Sequence, residues 1–302
     1  MIEIIKITHQ LGSLKEENTD IEELVGWDAE EIFNKTGIRQ RYISADDETS
    51  ETLALEVAKK FGVDTLNSCD LIISVSNTQS NDFPTIAHYV HSNLGLDSSV
   101  KCLGLNAGCS GFVDALEIIY SYFASGFAKR AAIINSDTYS KFLFNDRSTR
   151  TLFSDGALIT LLEKSEEGFI MTNKISSSAP LSYSHLIKQE LNGIRQISMN
   201  GPKVLQFALT TVFKDLNNLI GDSVSTLLPH QAGKLVLDAL KKKLSPNIQI
   251  LTNYENYGNL VSASIPNLLR ENFSILLEPR KIILSGFGVG LCHNAVVLER
   301  KN

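Results

Sequence analysis

The sequence predicts an α/β protein, and three observations carry that prediction. Short apolar runs alternate with segments of 3.6-residue periodicity along most of the chain. Glycine and proline clusters mark the changes of period. A length of 302 residues is enough for one large core or for two units of about 150 residues each.

Taken in order, the first strand is expected over 2–8, and Asn18-Thr19-Asp20 offers a start for a helix carrying Ile21, Leu24 and Val25. Trp27, the only tryptophan, reads as a packing residue rather than a stacking platform, because no facing site is visible. Gly37 marks a turn, after which Arg39 and Arg41 read as structural ion-pair partners or as cations facing an anionic substrate. A helix is expected over 49–61 with Leu53, Val57 and Phe61 on one face, then a strand over 71–76 and a loop over 77–82. Pro84 precedes a helix carrying Ile86, Ala87 and Val90 that ends at Leu94-Gly95. His88 and His91 share its face, but spacing supplies no third ligand, so no metal site is expected.

A short strand then leads to Cys109, and Phe112, Ala115, Leu116, Ile119 and Tyr120 define the helix that follows. A strand over 131–135, a polar loop over 146–150 and a turn at 153–156 feeding another strand complete the first half. Composition breaks at Glu166-Glu167-Gly168 and at Ser176-Ser177-Ser178-Ala179-Pro180 place a boundary in 165–180, which we set as 1–170 and 171–302. In the second half, Gly201-Pro202 opens a helix through Val204, Leu205, Ala208 and Val212 that Gly221-Asp222 closes. A strand over 225–228 leads into Pro229-His230-Gln231-Ala232-Gly233, and Leu235, Val236, Ala239 and Leu240 form the inward stripe of the next helix. A polar turn over 254–259 precedes a small-residue helix in which Pro266 must sit early. Strands over 281–290 and 295–298 are joined by a glycine-rich bend. Gly286, Gly288 and Gly290 lack the spacing of a dinucleotide-binding loop, so the bend reads as a way for backbone amides to enter a site.

Composition excludes several classes. With 28 Lys plus Arg against 34 Asp plus Glu, the formal charge of -6 gives no broad electrostatic reason to bind nucleic acid. No apolar run reaches the roughly 18 residues of a membrane span. The N-terminus lacks the pattern of a secretory signal. Cys69, Cys102, Cys109 and Cys292 show neither zinc-ligand spacing nor a disulfide framework, so a reduced cytoplasmic protein is expected.

Chemistry concentrates at three places. Cys109, within Ala107-Gly108-Cys109-Ser110-Gly111, stands where a strand becomes a helix, and there the amides and dipole of the first turn favour a thiolate. It reads as a nucleophile, or else as a small buried packing residue. His230 after Leu227-Leu228-Pro229 reads as a hydrogen-bond donor to a developing oxyanion or as a satisfied structural histidine. Asn259 in Gly258-Asn259 reads as a second donor or as a turn residue bonding its own backbone. Together Cys, His and Asn can divide the labour of acyl chemistry.

These residues, with Thr36-Gly37-Ile38-Arg39, Asp82-Phe83-Pro84, Phe153-Ser154-Asp155-Gly156-Ala157, Gly258 through Pro266 and Gly286-Phe287-Gly288-Val289-Gly290, give the chain its resemblance to the β-ketoacyl-acyl carrier protein synthase III group of the thiolase-like superfamily. The resemblance spans essentially the whole chain. It implies a five-layer α-β-α-β-α fold of two pseudo-duplicated halves, one carrying the cysteine and the other the histidine and asparagine, assembled as a homodimer. It implies that Cys109 takes an acyl group from a coenzyme A or acyl carrier protein thioester. A malonyl-like thioester then loses carbon dioxide beside His230 and Asn259, and its enolate forms a carbon-carbon bond with the acyl group. The amides of Cys109 and Val289 would form the oxyanion hole, and Phe83 would approach the partner subunit's acyl pocket. Thioesters are substrates here, and neither metal nor resident cofactor is implied.

Departures from the pattern are informative. The aromatic expected before Thr36 falls at Glu31, four residues after Trp27, whereas Lys35 keeps the usual basic residue. Arg147 matches a position at the coenzyme entrance, with a loop salt bridge to Asp146 as the plain alternative. Gly233 stands where asparagine usually follows His-Gln-Ala, which removes a support for His230, and Lys234 beside it is suited to docking a carrier. These differences fit specialised fatty-acid or polyketide metabolism. Two alternatives stay open: transfer from Cys109 to an amine, hydroxyl or β-keto acceptor without decarboxylation, and a noncatalytic subunit of a synthase heterodimer.

Overall fold

Both faces of the central strands are buried, and their alternation fixes the layers. Along 130–137, Ala131 and Ile133 join one core while Ala132 and Ile134 join another. Along 280–288, Ile282 and Leu284 join the first of these cores and Ile283 and Phe287 a third. Such continuous apolar runs belong to strands covered on both sides.

The computed structural model describes residues 1–143, 147–220, 224–278 and 280–300. Its strands in chain order are β1 (Ile2–Leu11), β2 (Leu14–Glu17), β3 (Gln40–Ile43), β4 (Leu71–Val75), β5 (Lys101–Leu105), β6 (Arg130–Asp137), β7 (Gly156–Lys164), β8 (Phe169–Ser178), β9 (Leu186–Leu191), β10 (Ile194–Met199), β11 (Val224–Pro229), β12 (Gln249–Ile250), β13 (Arg280–Gly288) and β14 (Cys292–Arg300). The main sheet has the order β12-β11-β13-β14-β8-β1-β7-β6-β4-β5. Read outward from the β8–β1 junction, the two runs of five match: β1-β7-β6-β4-β5 and β8-β14-β13-β11-β12. Strand directions match as well, with β4 parallel to β5 and β6, and β11 parallel to β12 and β13. The two runs meet through one residue pair, Ile2 with Phe169.

Helices complete five layers. Gly111–Ser125 and Ser264–Glu271 lie between the two runs, where Phe112, Leu116, Ile119, Ile265 and Leu268 share a core with strand residues of both halves. Ser50–Phe61 and Ile86–Leu94 cover the outer face of the first run. The helical stretch 201–219 and the helix Lys234–Lys243 cover the outer face of the second.

Most expected elements are present. The 49–61 helix begins at Ser50 because the Thr49 side chain accepts from the Thr52 amide as its N-cap. Pro266 falls in the first turn of Ser264–Glu271, where its missing N–H costs nothing. Other regions differ. The helix begun at 18–20 is broken by Gly26 in the left-handed region, and an unforeseen helix, Ala29–Thr36, follows with Asp28 as its cap. The serine-rich segment 176–178 is no break; it is the end of β8, paired with Cys292, His293 and Asn294 of β14. Because β8 starts at Phe169, the 170/171 division cuts a strand two residues in. Arg147–Arg150 is a helical turn rather than a loop. Asp146 and the Gly221-Asp222 closure lie outside the described residues.

Candidate active site

The site lies at the carboxyl ends of parallel strands from both halves, where open α/β sheets leave a crevice. After β5 the chain turns through Gly108 at φ +55 into a 3-10 turn, Gly108–Ser110, and then the helix Gly111–Ser125. Cys109 sits in that turn, 3% exposed. Glycines let other segments close on it: a Cβ on Gly288 would stand 2.9 Å from Cys109 Sγ, and one on Gly286 would stand 2.6 Å from Ser110 Cα. The glycine-rich bend thus packs directly on the cysteine.

The thiolate expected from the helix start is not the resting state. Burial pushes the Cys109 thiol well above its ordinary value, and the nearby Asp137 carboxylate adds to the shift. The amides of Val289 and of Cys109 itself pull the other way by donating to sulfur. Asp137 ends β6 and is 1% exposed, and it accepts from Ser262 Oγ at 2.7 Å, the Asn77 amide at 2.8 Å and Thr78 Oγ1 at 3.1 Å. Burial still raises its carboxyl to about 6.

His230 follows β11, and its amide donates to the Ser285 carbonyl at 2.7 Å. The ring is 2% exposed and meets Phe287 edge-on at 5.6 Å between centroids. Burial lowers its pKa to about 3, opposed by a hydrogen bond with the Val261 backbone, so the imidazole is neutral near pH 7. Support does not depend on an asparagine at 233. Gln231 donates to the Pro229 carbonyl at 2.8 Å and accepts from the Asn253 amide at 2.8 Å, which staples the loop. Gly233 adopts φ +96, a backbone state that asparagine tolerates less readily.

Asn259 is fixed at both ends. Its amide donates to the Leu152 carbonyl and its carbonyl accepts from the Ser154 amide, each at 2.9 Å. Its Oδ1 accepts from the Val261 amide at 2.9 Å, which commits the oxygen and leaves Nδ2 as the group available to a substrate. Val261 holds φ +53, unusual for a β-branched residue, while contacting both Asn259 and His230.

Cys109, His230 and Asn259 line one cavity of 380 Å³, together with Phe153, Phe287 and Gly288. Leu152, Met199, Val204 and Leu205 make its apolar wall, and Trp27, Lys35 and Lys234 also line it. Lys35 Nζ lies 4.9 Å and the Arg147 guanidinium 5.9 Å from the centre of the Trp27 ring. Trp27 packs on Ile21, Val25 and Ile32 and still presents a face to these cations, so it is more than the packing residue read from sequence. Arg39 and Arg41 are structural: Arg39 pairs with Glu255 at 2.6 Å and the fully buried Arg41 with Glu16 at 3.0 Å. Phe83 is 84% exposed and lines neither this cavity nor the one behind it. Among the described residues, no cluster of three or more His, Cys, Asp or Glu could hold a metal ion, and no helix is long and apolar enough to cross a membrane.

A second cavity, of 280 Å³, adjoins the first. Val289 and Tyr139 line it, and Leu186 lines both. Sequence reasoning missed Tyr139, Asp137 and Phe287, since each depends on strand ends that only the fold brings to Cys109. It also missed a buried hydrogen-bonded chain. Ser285 Oγ lies 3.0 Å from His293 Nε2, and His293 Nδ1 lies 2.9 Å from Asp215 Oδ2, with all three residues buried.

Residues 103–179 match the family described as 3-oxoacyl-[acyl-carrier-protein] synthase III, and residues 215–300 match its C-terminal counterpart. The chain is 34% identical over 320 aligned positions to a beta-ketoacyl-[acyl-carrier-protein] synthase III of Streptococcus pneumoniae, covering 98% of each. Its structure is similar to 3-oxoacyl-(acyl carrier protein) synthase III from Pseudomonas aeruginosa PAO1, with a TM-score of 0.89, 27% identity, and 100% of this chain and 98% of that one covered. It is also similar to the Aquifex aeolicus VF5 protein of the same name, with a TM-score of 0.87, 28% identity, and 99% of this chain and 100% of that one covered.

Proposed function

We propose, because the chain belongs to the 3-oxoacyl-[acyl-carrier-protein] synthase III family, that it forms carbon-carbon bonds by condensing an acyl-Cys109 intermediate with a malonyl-like thioester. Its five layers are the thiolase-like fold of that family. The observation that carries the assignment of roles is the convergence of Cys109, His230 and Asn259, from both halves, on one cavity.

In this reading Cys109 sulfur attacks the carbonyl of a coenzyme A or carrier thioester. The carbon-sulfur bond to the donor breaks, and the departing thiol takes the proton given up by Cys109. Amide donors from Val289 and Cys109 already lie on the sulfur, where they would stabilise the oxyanion formed at the adjacent carbonyl. A malonyl-like thioester then loses carbon dioxide, and the electron pair of the broken bond becomes an enolate. Neutral His230 and the free Nδ2 of Asn259 donate to the enolate oxygen. The enolate carbon attacks the acyl carbonyl, and collapse of the tetrahedral adduct expels Cys109, which regains a proton. Binding of the thioester arm is assigned to Lys35, Arg147 and Lys234 beside Trp27.

Incubation with acyl-coenzyme A donors should add one acyl mass to the intact protein, and Cys109→Ala should abolish the adduct. His230→Ala and Asn259→Ala should each slow carbon dioxide release from a labelled malonyl thioester by about 10²–10³-fold. Acylation should change only a few-fold. Acylation without carbon dioxide release would favour transfer to another acceptor, and no adduct with any donor would favour a noncatalytic subunit.

We further propose a homodimer in the cytoplasm. β5 is an edge of the main sheet and leaves Leu103 and Leu105 partly exposed, and Phe83 of the same half is 84% exposed, an apolar ring that a partner subunit would cover. All four cysteines are free, as a reducing compartment requires.

A further inference from the structure

We propose that the second cavity seats the far end of the acyl group carried by Cys109, and that it selects a short acyl group bearing an oxygen acceptor over a saturated hydrocarbon. The inference rests on Cys109 being the acyl-carrying nucleophile. Position comes first. A Cβ on Gly108 would stand 2.4 Å from Asn77 Oδ1 and 2.8 Å from Val289 Cγ2, so the cavity wall reaches the residue next to the nucleophile. Tyr139 belongs to the same buried cluster as Cys109 and packs at 4.9 Å on Phe153 of the first cavity. Space comes second. A volume of 280 Å³ is just under the roughly 300–1,000 Å³ of drug-sized ligand sites. It suits an acyl group of a few carbons.

Chemistry decides the class. The first cavity's wall away from the catalytic residues is largely apolar, whereas the second sets Asn77, Asn106, Tyr139 and Lys188 among the apolar side chains of Leu186, Ile187, Ile197 and Val289. Tyr139 hydroxyl lies 3.4 Å from Asn77 Oδ1, and Asn77 Nδ2 donates to Asn106 Oδ1. That chain leaves the Asn106 amide nitrogen without a partner among the described residues. Lys188 is half-buried, has no ion pair among the described residues, and lies 4.9 Å from the centre of the Phe142 ring. Burial and the Arg195 charge lower its pKa, while Asp137, Asp82 and Glu51 raise it. A hydrocarbon tail would take water from these donors and return nothing, whereas a hydroxyl, carbonyl or carboxylate oxygen would accept from them. Sites built to hydrogen-bond a substrate group reject analogues lacking it far better than apolar pockets reject a methylene.

The test compares four-carbon donors on the intact protein: butyryl-, 3-hydroxybutyryl- and succinyl-coenzyme A, read as the rate of the Cys109 mass adduct. At least one oxygenated donor should react about tenfold faster than butyryl, and Lys188→Met or Asn106→Leu should reduce that preference. A carboxylate specificity would lose its succinyl advantage mainly in Lys188→Met, and a hydroxyl specificity would lose its hydroxybutyryl advantage mainly in Asn106→Leu. Butyryl reacting as fast as both oxygenated donors would overturn the inference and leave the synthase reading intact, as would a preference that survives both substitutions. No adduct with any donor would instead overturn the nucleophile assignment on which it stands.

Discussion

One methyl group at position 288 should be enough to disable the sulfur. Gly288→Ala would place a carbon 2.9 Å from Cys109 Sγ and 3.0 Å from its Cβ, so the cysteine must shift. We expect acylation to fall by at least about 100-fold, with a stability cost of about 1–3 kcal/mol from overpacking. Adduct formation and urea denaturation separate the two effects. The buried ionisable groups make a second prediction. His230 is neutral in the fold down to about pH 3, whereas in the unfolded chain it protonates near 6.5. The unfolded state therefore binds more protons between these values, and this contribution to stability is full above 6.5 and lost as pH falls, at about 1.4 kcal/mol per unit. Asp137, held at about 6 against an ordinary 3.8, acts oppositely: the folded state keeps a proton that the unfolded chain has lost, so stability falls as pH rises through that window. Asp137→Asn removes the falling contribution. Between pH 4 and 6 its stability should climb with pH more steeply than that of the wild type, and parallel curves would contradict the assignment. Cys109 itself was legible in the sequence. Its protonation was not, because the carboxylate opposing ionisation arrives on β6, and burial outweighs the helix start.

At the scale of elements, the helix Phe213–Leu219 is tied to β13 and β14 by Asp215, His293 and Ser285. The order of contacts is that of a hydrolase triad, but Ser285 and His293 are both 0% exposed, and no substrate reaches them. The same Ser285 offers its carbonyl to the His230 amide, so the chain braces the strand beneath the site. Asp215→Ala should cost about 1–3 kcal/mol by leaving the buried, neutral His293 ring without its Nδ1 partner, measured by denaturant unfolding. A serine-directed phosphonate should leave Ser285 unlabelled in the folded protein. Helices with clean periodicity and caps, such as Ser50–Phe61, were readable in advance. β8 was not, because polar residues fill its exposed positions, Thr172 to Lys174 among them, and no long apolar run marks it. β9 and β10 went unread for a different reason: Asn192-Gly193, at φ +55 and +78, is a two-residue hairpin signal that stood in the sequence and was overlooked.

For the whole molecule, light scattering should give about twice the 33.3 kDa chain mass if β5 and Phe83 lie at a dimer interface. A value matching one chain would contradict the proposed homodimer. The α/β class was legible from alternation alone, whereas the five layers were implied by the resemblance and not by periodicity. The convergence of the site could not be read from spacing, because Cys109 and His230 stand on matching sides of two separate runs of strands. That correspondence has a consequence for how such a protein can change. Asn77 follows β4 as His230 follows β11, and Cys109 follows β5 as Asn259 follows β12. Each half thus lends its own pair of loops, and the loop after β4 borders the second cavity while the loop after β11 borders the first. Under the roles proposed for the two cavities, selection can remodel Asn77 and its neighbours to admit a new starter while the residues assigned to making the enolate stay untouched, so substrate range and reaction type are free to evolve on separate stretches of the gene.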